Sequence, residues 1–144
     1  EKLEKFASVE LVPDKTMRIS LTGDLLFPSG QAELTPAARD SLKKLAGIVK
    51  KTPYMVNVIG HTDDRPVRTA RFPSNWELSV ARATTVVRYL QEVGVPPERM
   101  VASGRAEYQP VASNDDPEGR RKNRRIEITL IDRNLVQEAG PGKM

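Results

Sequence analysis

Alternation of polar and apolar positions predicts the strands of this chain. Residues 16–21 alternate with a period of two before Gly23 interrupts the pattern, and residues 126–130 repeat the alternation near the other end. Residues 55–59 form a short β-branched stretch that ends in a cluster of turn formers, and residues 100–103 give a weaker strand signal. We therefore expect four strands.

Two helices are predicted between these strands, and the first has a clear start. Thr35 is a suitable N-cap, with Pro36 at the first helical position. Apolar side chains then recur at helical spacing: Ala38, Leu42, Leu45 and Val49. This helix should cover residues 36–51.

The second helix is marked by signals at both of its ends. Ser74 and Glu77 have the spacing of a capping box, in which Glu77 reaches back to the N-cap, and Gly94 is a suitable residue to stop the helix. Residues 75–93 should therefore be helical. The segment 110–119, which follows the third strand, is expected to be a loop.

The order of these elements predicts the fold class. Strand, helix, strand, helix, strand, strand, with an apolar face on each helix, indicates an α/β fold, a two-layer sandwich in which helices pack on one face of a mixed β-sheet. A chain of 144 residues supports one compact domain, which we place at residues 16–132. Residues 1–15 are interpreted as a linker or short helix, and residues 133–144 as a flexible C-terminal tail.

Charge and composition argue against several classes of function. The net charge is +4, and residues 120–125 contain five cations, which would suit nucleic acid. Aromatic residues make up only 5% of the chain, however, and none is interleaved with this basic run. A single His and the absence of Cys leave no complete zinc site and no thiol nucleophile. We expect neither an enzyme, a metal or cofactor protein, nor a nucleic-acid-binding protein.

Arg82 is the residue that indicates a binding function. It falls within the apolar stripe of the second helix, and a guanidinium withdrawn from water needs an anion, ideally a carboxylate. Asp63 follows the second strand, where ligands of α/β sheets tend to bind. Two interpretations stay open: Asp63 and Arg82 form an internal salt bridge, or they hold the two charges of a zwitterion.

Several ordered motifs resemble those of the OmpA-like peptidoglycan-binding domains. They are residues 27–34, Phe-Pro-Ser-Gly-Gln-Ala-Glu-Leu; residues 60–63, Gly-His-Thr-Asp; the positions Asn75, Leu78, Ser79, Arg82 and Ala83; and residues 123–128, Asn-Arg-Arg-Ile-Glu-Ile. The likeness covers residues 16–131 and implies the fold that this family has in the C-terminal domain of OmpA.

The resemblance also implies roles for individual residues. It implies that Asp63 binds the amine and Arg82 the carboxylate of diaminopimelate in the peptidoglycan stem peptide. Arg124 matches an arginine of the family's late Asn-Arg-Arg motif. Four further residues stand at positions that line the family's pocket: Thr62, Asn75, Leu78 and Ser79. Leu78 would line the pocket through its backbone.

Residues 68–79 are similar in more detail to the branch of the family found in flagellar motor stators. This likeness implies that the domain anchors a stator to peptidoglycan from the periplasm, as a homodimer. It also implies that residues 1–15 follow a single inner-membrane anchor, through which a MotA-type stator subunit would be contacted. The alternative is the same domain in an outer-membrane protein of the OmpA type or in a peptidoglycan-associated lipoprotein.

The loop between Asp64 and Ser74 departs from the outer-membrane members of the family. It lacks their glycine and contains Arg65, Arg68 and Arg71. These arginines either contact acidic groups of the stem peptide or are solvated loop charges.

Overall fold

The computed structural model describes residues 7–12 and 16–132. The strands are β1 (Ala7–Val12), β2 (Thr16–Thr22), β3 (Tyr54–His61), β4 (Met100–Gly104) and β5 (Arg125–Asp132). The helices are α1 (Gly23–Leu26), α2 (Pro36–Lys50), α3 (Asn75–Glu92) and α4 (Pro117–Asn123), with a 3₁₀ turn at Pro97–Arg99. None of the helices within these residues is long and apolar enough to span a membrane.

The strands form one mixed sheet in the order β1-β2-β5-β3-β4. β3 and β4 are parallel, and the other neighbours are antiparallel. Alternate residues of β5, namely Ile126, Ile128 and Leu130, are buried in one core with apolar residues of α2 and α3. Both helices therefore cover the same face of the sheet, and the predicted two-layer α/β sandwich is confirmed.

The starts of both predicted helices are confirmed, and each helix ends one residue before its predicted end, at Lys50 and at Glu92. The Thr35 hydroxyl accepts a hydrogen bond from the Ala38 N–H at 3.2 Å, and the Ser74 hydroxyl accepts one from the Trp76 N–H at 3.2 Å. The Ser74 hydroxyl also donates to the Glu77 carboxylate. The two residues of the predicted capping box therefore meet, but through a bond between their side chains and not through the reciprocal backbone bonds of that motif. Gly94 follows α3 with a φ of 113°, a conformation that favours glycine.

The N-terminal segment differs from its prediction. Residues 7–12, interpreted from the sequence as part of a linker or short helix, form strand β1, which pairs with β2 from Ala7↔Leu21 to Val12↔Thr16. Pairing with an existing strand satisfies backbone groups that an isolated segment of six residues leaves to water. Residues 1–6 and the predicted tail at 133–144 lie outside the described residues.

The loop prediction for residues 110–119 is wrong at its end, because α4 begins at Pro117. This helix has no apolar stripe, so hydrophobic periodicity gives no signal for it in the sequence. Its start is nevertheless visible in the sequence as Asp116, whose carboxylate accepts the Gly119 N–H at 2.7 Å, followed by Pro117 at the first helical position. The short helix α1 also escaped prediction.

Two glycines let α3 lie directly against the sheet. A Cβ atom on Gly60 of β3 would fall 2.2 Å from the Ser79 carbonyl oxygen, and one on Gly104 of β4 would fall 2.4 Å from the Ser79 Oγ. Neither strand position therefore tolerates a side chain. The close approach sets the first turns of α3 beside the C-terminal end of β3.

Gly60→Ala should lower the free energy of unfolding by about 3 kcal/mol, since the added methyl group meets helix backbone that cannot move aside. Urea unfolding followed by circular dichroism measures the change. Gly47→Ala is the matched control: Gly47 lies within α2 with open space around its Cβ position, so alanine should stabilise by about 0.5–1 kcal/mol. Equal effects of the two changes would contradict the packing argument.

Candidate ligand-binding site

A cleft of about 580 Å³ opens where β3 ends, between the segment after α1 and the first turns of α3. Two aspartates and three arginines are the charged residues that line it, which leaves one positive charge in excess. The lining residues are Asp24, Phe27, Pro28, Ser29, Gly30, Thr62, Asp63, Arg65, Pro66, Val67, Asn75, Leu78, Arg82 and Arg124. The cleft thus contains six of the seven residues that the sequence singled out.

Arg82 is a buried cation held by neutral groups. Its Nε donates to the Gln31 carbonyl at 2.7 Å and its Nη2 to the Pro28 carbonyl at 3.4 Å, while the guanidinium lies 4.9 Å from the centre of the Phe27 ring. Burial lowers the pKa of Arg82 to about 10, and the charge of Asp24 opposes this effect. Among the ion pairs within residues 16–132, none includes Arg82.

Asp63 is also buried, but its partner is Arg124. One carboxylate oxygen accepts from Arg124 Nη1 at 2.5 Å, and the other accepts from the backbone N–H of Arg65 at 3.0 Å. The direct salt bridge between Asp63 and Arg82, which the sequence left open, is therefore not formed. Instead the two residues share the cleft as separate charged groups.

Arg124 connects two aspartates. Its Nε and Nη2 donate to the two oxygens of Asp24 at 2.8 and 2.9 Å, in addition to the bond with Asp63. These bonds raise the pKa of Arg124, and the bonds to Asp24 make the largest contribution. The same bonds lower the pKa of Asp24. Asp24 was not predicted from the sequence, and nothing in its local pattern connects it with a residue one hundred positions later.

Thr62, Asn75 and Leu78 shape the wall of the cleft beside Asp63. The Thr62 hydroxyl donates to the Asp63 carbonyl at 2.8 Å, and Asn75 Nδ2 donates to the Arg65 carbonyl at 3.1 Å. Asn75 Oδ1 is buried without a hydrogen-bond partner in the described part of the chain. The Leu78 N–H, expected to line the pocket, donates to the Ser74 carbonyl at 3.3 Å, so the normal helical bond already uses it.

Ser79 does not line the cleft, and the sequence prediction is corrected here. Its side chain is fully buried; Oγ donates to the Trp76 carbonyl at 3.0 Å and accepts the Ala106 N–H at 3.1 Å. Ser79 packs against Gly60 and Gly104, where α3 contacts the sheet. Ser79 lies one turn from both Asn75 and Arg82, but its side chain is enclosed between α3 and the sheet, so its match to the family motif reflects packing.

The three loop arginines have different surroundings. Arg65 lines the cleft with a side chain 65% exposed, and its Nε lies 3.6 Å from Asp63 Oδ2. Arg71 lies 5.3 Å from the centre of the Phe72 ring and 3.8 Å from the Glu33 carboxylate. Arg68 is exposed. Only Arg65 is placed to contact a bound ligand.

His61 is a structural residue next to the site. It is buried, with Nε2 3.3 Å from the Glu127 carboxylate, which also accepts from Arg125 Nε at 2.8 Å. The neighbouring His61 and then the hydrogen bond from Arg125 lower the pKa of Glu127 to about 2. Within residues 16–132, no group of three or more His, Asp or Glu side chains is arranged to hold a metal ion.

Comparison with known proteins identifies the family. The family model described as OmpA family matches residues 26–124. The chain belongs to the OmpA family. The recognition made from the sequence motifs is thereby confirmed, and so is the expectation of a non-enzymatic family.

Relatives of this OmpA-family chain belong to motility and cell-wall proteins. Motility protein B of Bacillus subtilis is 32% identical over 139 residues, which are 95% of this chain and 53% of that protein. The cell wall anchor of the T6SS from Pseudomonas aeruginosa has a TM-score of 0.84 with 38% identity over 90% of each chain. The periplasmic domain of Helicobacter pylori MotB has a TM-score of 0.80 with 28% identity over 94% of this chain and 90% of that one. The chain spans about half the length of the curated relatives it matches.

Glu127→Gln should destabilise the domain by about 2 kcal/mol at pH 7, because a carboxylate with a lowered pKa stabilises the fold only while it is ionised. The stabilisation is present above the unfolded value of 4.5 and is lost as the pH falls towards about 2. Urea unfolding of both proteins between pH 7 and pH 2 measures the difference.

The exposed carboxylate of Glu33 provides the control for this titration. Its side chain is 73% exposed, so Glu33→Gln should change stability by less than about 0.5 kcal/mol at any pH. A difference between wild type and Glu127→Gln that stays constant down to pH 2 would show that the effect is not ionic.

Proposed function

We propose that this domain binds peptidoglycan non-covalently by holding diaminopimelate of the stem peptide in the cleft. The observation that carries the proposal is the state of Arg82: a buried guanidinium that has no carboxylate partner in the described part of the chain and that borders a cleft. Such a cation is stabilised by any carboxylate that enters and fits its planar fork.

The second charge of the ligand has a matching group on the other side of the cleft. The side-chain end of diaminopimelate is a zwitterion with an ammonium and a carboxylate on one carbon. Asp63 supplies an acceptor for the ammonium, and the unpartnered Asn75 Oδ1 supplies another for an N–H group of the peptide. A lysine-type stem peptide has the ammonium without the carboxylate and would leave Arg82 unsatisfied, so the cleft favours diaminopimelate.

We further propose that wall binding anchors the stator of a flagellar motor. The support is the similarity to Motility protein B along nearly the whole chain, 95% of its length. In this proposal the chain is the periplasmic domain of a single-pass inner-membrane protein, acts as a homodimer and reaches a MotA-type subunit through its membrane segment. Peptidoglycan binding by the cleft then holds the stator still against the torque it generates.

A second setting for the same cleft is favoured by one observation. The cell wall anchor of the T6SS from Pseudomonas aeruginosa is 38% identical and covers 90% of this chain. The same domain in another envelope protein is therefore the alternative to the stator, and the family resemblance adds outer-membrane proteins and lipoproteins to the candidates. The full gene separates the two: one apolar span with a channel aspartate supports the motor, and a lipoprotein signal or a β-barrel contradicts it.

Calorimetric titration with a stem peptide containing diaminopimelate, beside its lysine counterpart, tests the proposed ligand. The wild type should prefer diaminopimelate, and Arg82→Ala should weaken that binding by about a hundredfold, as expected when a buried charged hydrogen-bonding group is lost. The lysine peptide should respond much less to this change, because it lacks the carboxylate.

Arg88→Ala is the matched control, since Arg88 is exposed on the same helix and lies outside the cleft. Thermal unfolding of each variant verifies that it is folded. A folded Arg82→Ala protein that binds diaminopimelate as tightly as the wild type would refute the proposed site.

A further inference from the structure

We propose that Asp24 is a positioning residue of the cleft that acts through Arg124 and makes Asp63 available to the ligand's ammonium. The inference rests on the proposed function of the cleft. Asp24 belongs to none of the motifs by which the sequence resembles its family, and the structure alone connects it with the site.

The first step is the unequal sharing of Arg124 between two carboxylates. Asp24 takes two hydrogen bonds, from Nε and Nη2, in the parallel arrangement that suits a guanidinium. Asp63 takes one, from Nη1. Most of the arginine's hydrogen-bonding capacity towards carboxylates is therefore committed to Asp24.

The second step concerns the backbone that holds this arrangement. The Gly23 N–H donates to the Arg124 carbonyl at 2.8 Å, so the residue before Asp24 is fixed to the backbone of the arginine itself. A Cβ atom on Gly23 would lie 2.9 Å from that carbonyl oxygen, so a side chain at this position would disturb the approach. The position of Asp24 beside Arg124 is thus set by a backbone hydrogen bond of the preceding residue.

The third step is the competition that an incoming ammonium meets. The Asp63 side chain is 8% exposed and is already bonded to Arg124 and to the Arg65 N–H. An ammonium that binds Asp63 must replace or share the Arg124 bond, and it does so beside a second positive charge. Because Asp24 neutralises Arg124 and retains two bonds to it, the half-buried arginine gives up one bond without being left unpaired.

Removal of the Asp24 carboxylate should weaken binding of the ligand's ammonium and leave binding of its carboxylate unchanged. Without the Asp24 carboxylate, Arg124 depends on Asp63 alone and repels the ammonium more strongly. The carboxylate arm of the ligand meets Arg82, which makes no hydrogen bond to Asp24, so its binding does not weaken. A merely structural role for Asp24 would weaken both arms together.

The test measures binding of two stem peptides, one with diaminopimelate and one with α-aminopimelate, which keeps the distal carboxylate and lacks the amine. For Asp24→Asn, affinity for the diaminopimelate peptide should fall about tenfold, the size expected for one charged hydrogen-bonding arrangement. Affinity for the aminopimelate peptide should change by less than about twofold or improve slightly, since a negative charge has left the cleft. Asp40→Asn, at an exposed position of α2, is the control that changes charge outside the cleft.

A double-mutant cycle with Arg124→Gln decides whether Asp24 acts through Arg124. In that background Asp24→Asn should alter binding of either peptide by less than about twofold, because the mediating group is gone. A full tenfold loss there would mean that Asp24 touches the ligand directly, and an equal loss for both peptides in the single variant would mean a structural role; either result overturns the inference.

The wild type distinguishes this inference from the function on which it rests. If it prefers the diaminopimelate peptide and loses it in Arg82→Ala while Asp24→Asn has no selective effect, the proposed function stands and the role of Asp24 is refuted. If the folded wild type binds neither peptide, the proposed function fails and the role of Asp24 fails with it.

Discussion

Helix α3 touches the sheet at Gly60 and Gly104 with no side chain of either strand between them, and the geometry of the cleft depends on that contact. Ser79 fills the interface, and its Oγ also accepts the Ala106 N–H from the loop after β4. With the helix held at this distance, Asn75 reaches the loop that leaves β3 and bonds its carbonyls. A side chain at either glycine would lift the helix and separate Arg82 from Asp63.

The charges of the cleft divide into one group that is neutralised and one that is not. Arg124 is bonded by Asp24 and Asp63, whereas Arg82 is bonded by two carbonyls and an aromatic face. Carbonyl groups orient a guanidinium but supply no compensating charge, so the buried charge of Arg82 would be stabilised further by an anion. This difference is the reason why we propose that Arg82 binds the ligand's carboxylate and that Arg124 supports the site.

Membership of the OmpA family agrees with a domain that binds and does not catalyse. Backbone groups orient the charged side chains of the cleft: the Arg65 N–H bonds Asp63, and the carbonyls of Pro28 and Gln31 bond Arg82. His61 instead contacts Glu127 and is not among the residues that line the cleft. Groups that are already oriented reduce the ordering cost of binding, which suits the proposed binding of peptidoglycan. The proteins that resemble this chain include a motility protein and a cell wall anchor.

The sequence by itself determined the two long helices and four of the strands, and it identified Asp63 and Arg82 as candidate binding residues. It could do so because periodicity, helix caps and an arginine within an apolar stripe are local properties of the chain. It did not determine β1, which forms by pairing with β2, or α4, whose charged surface carries no period. Only the tertiary structure decided that Arg124, and not Arg82, pairs with Asp63, that Ser79 serves packing, and that Asp24 belongs to the cleft. Each of these facts depends on a contact between distant segments, and the physical reason is that charge partners are chosen by distance in space, which hydrophobic patterning along a chain does not encode.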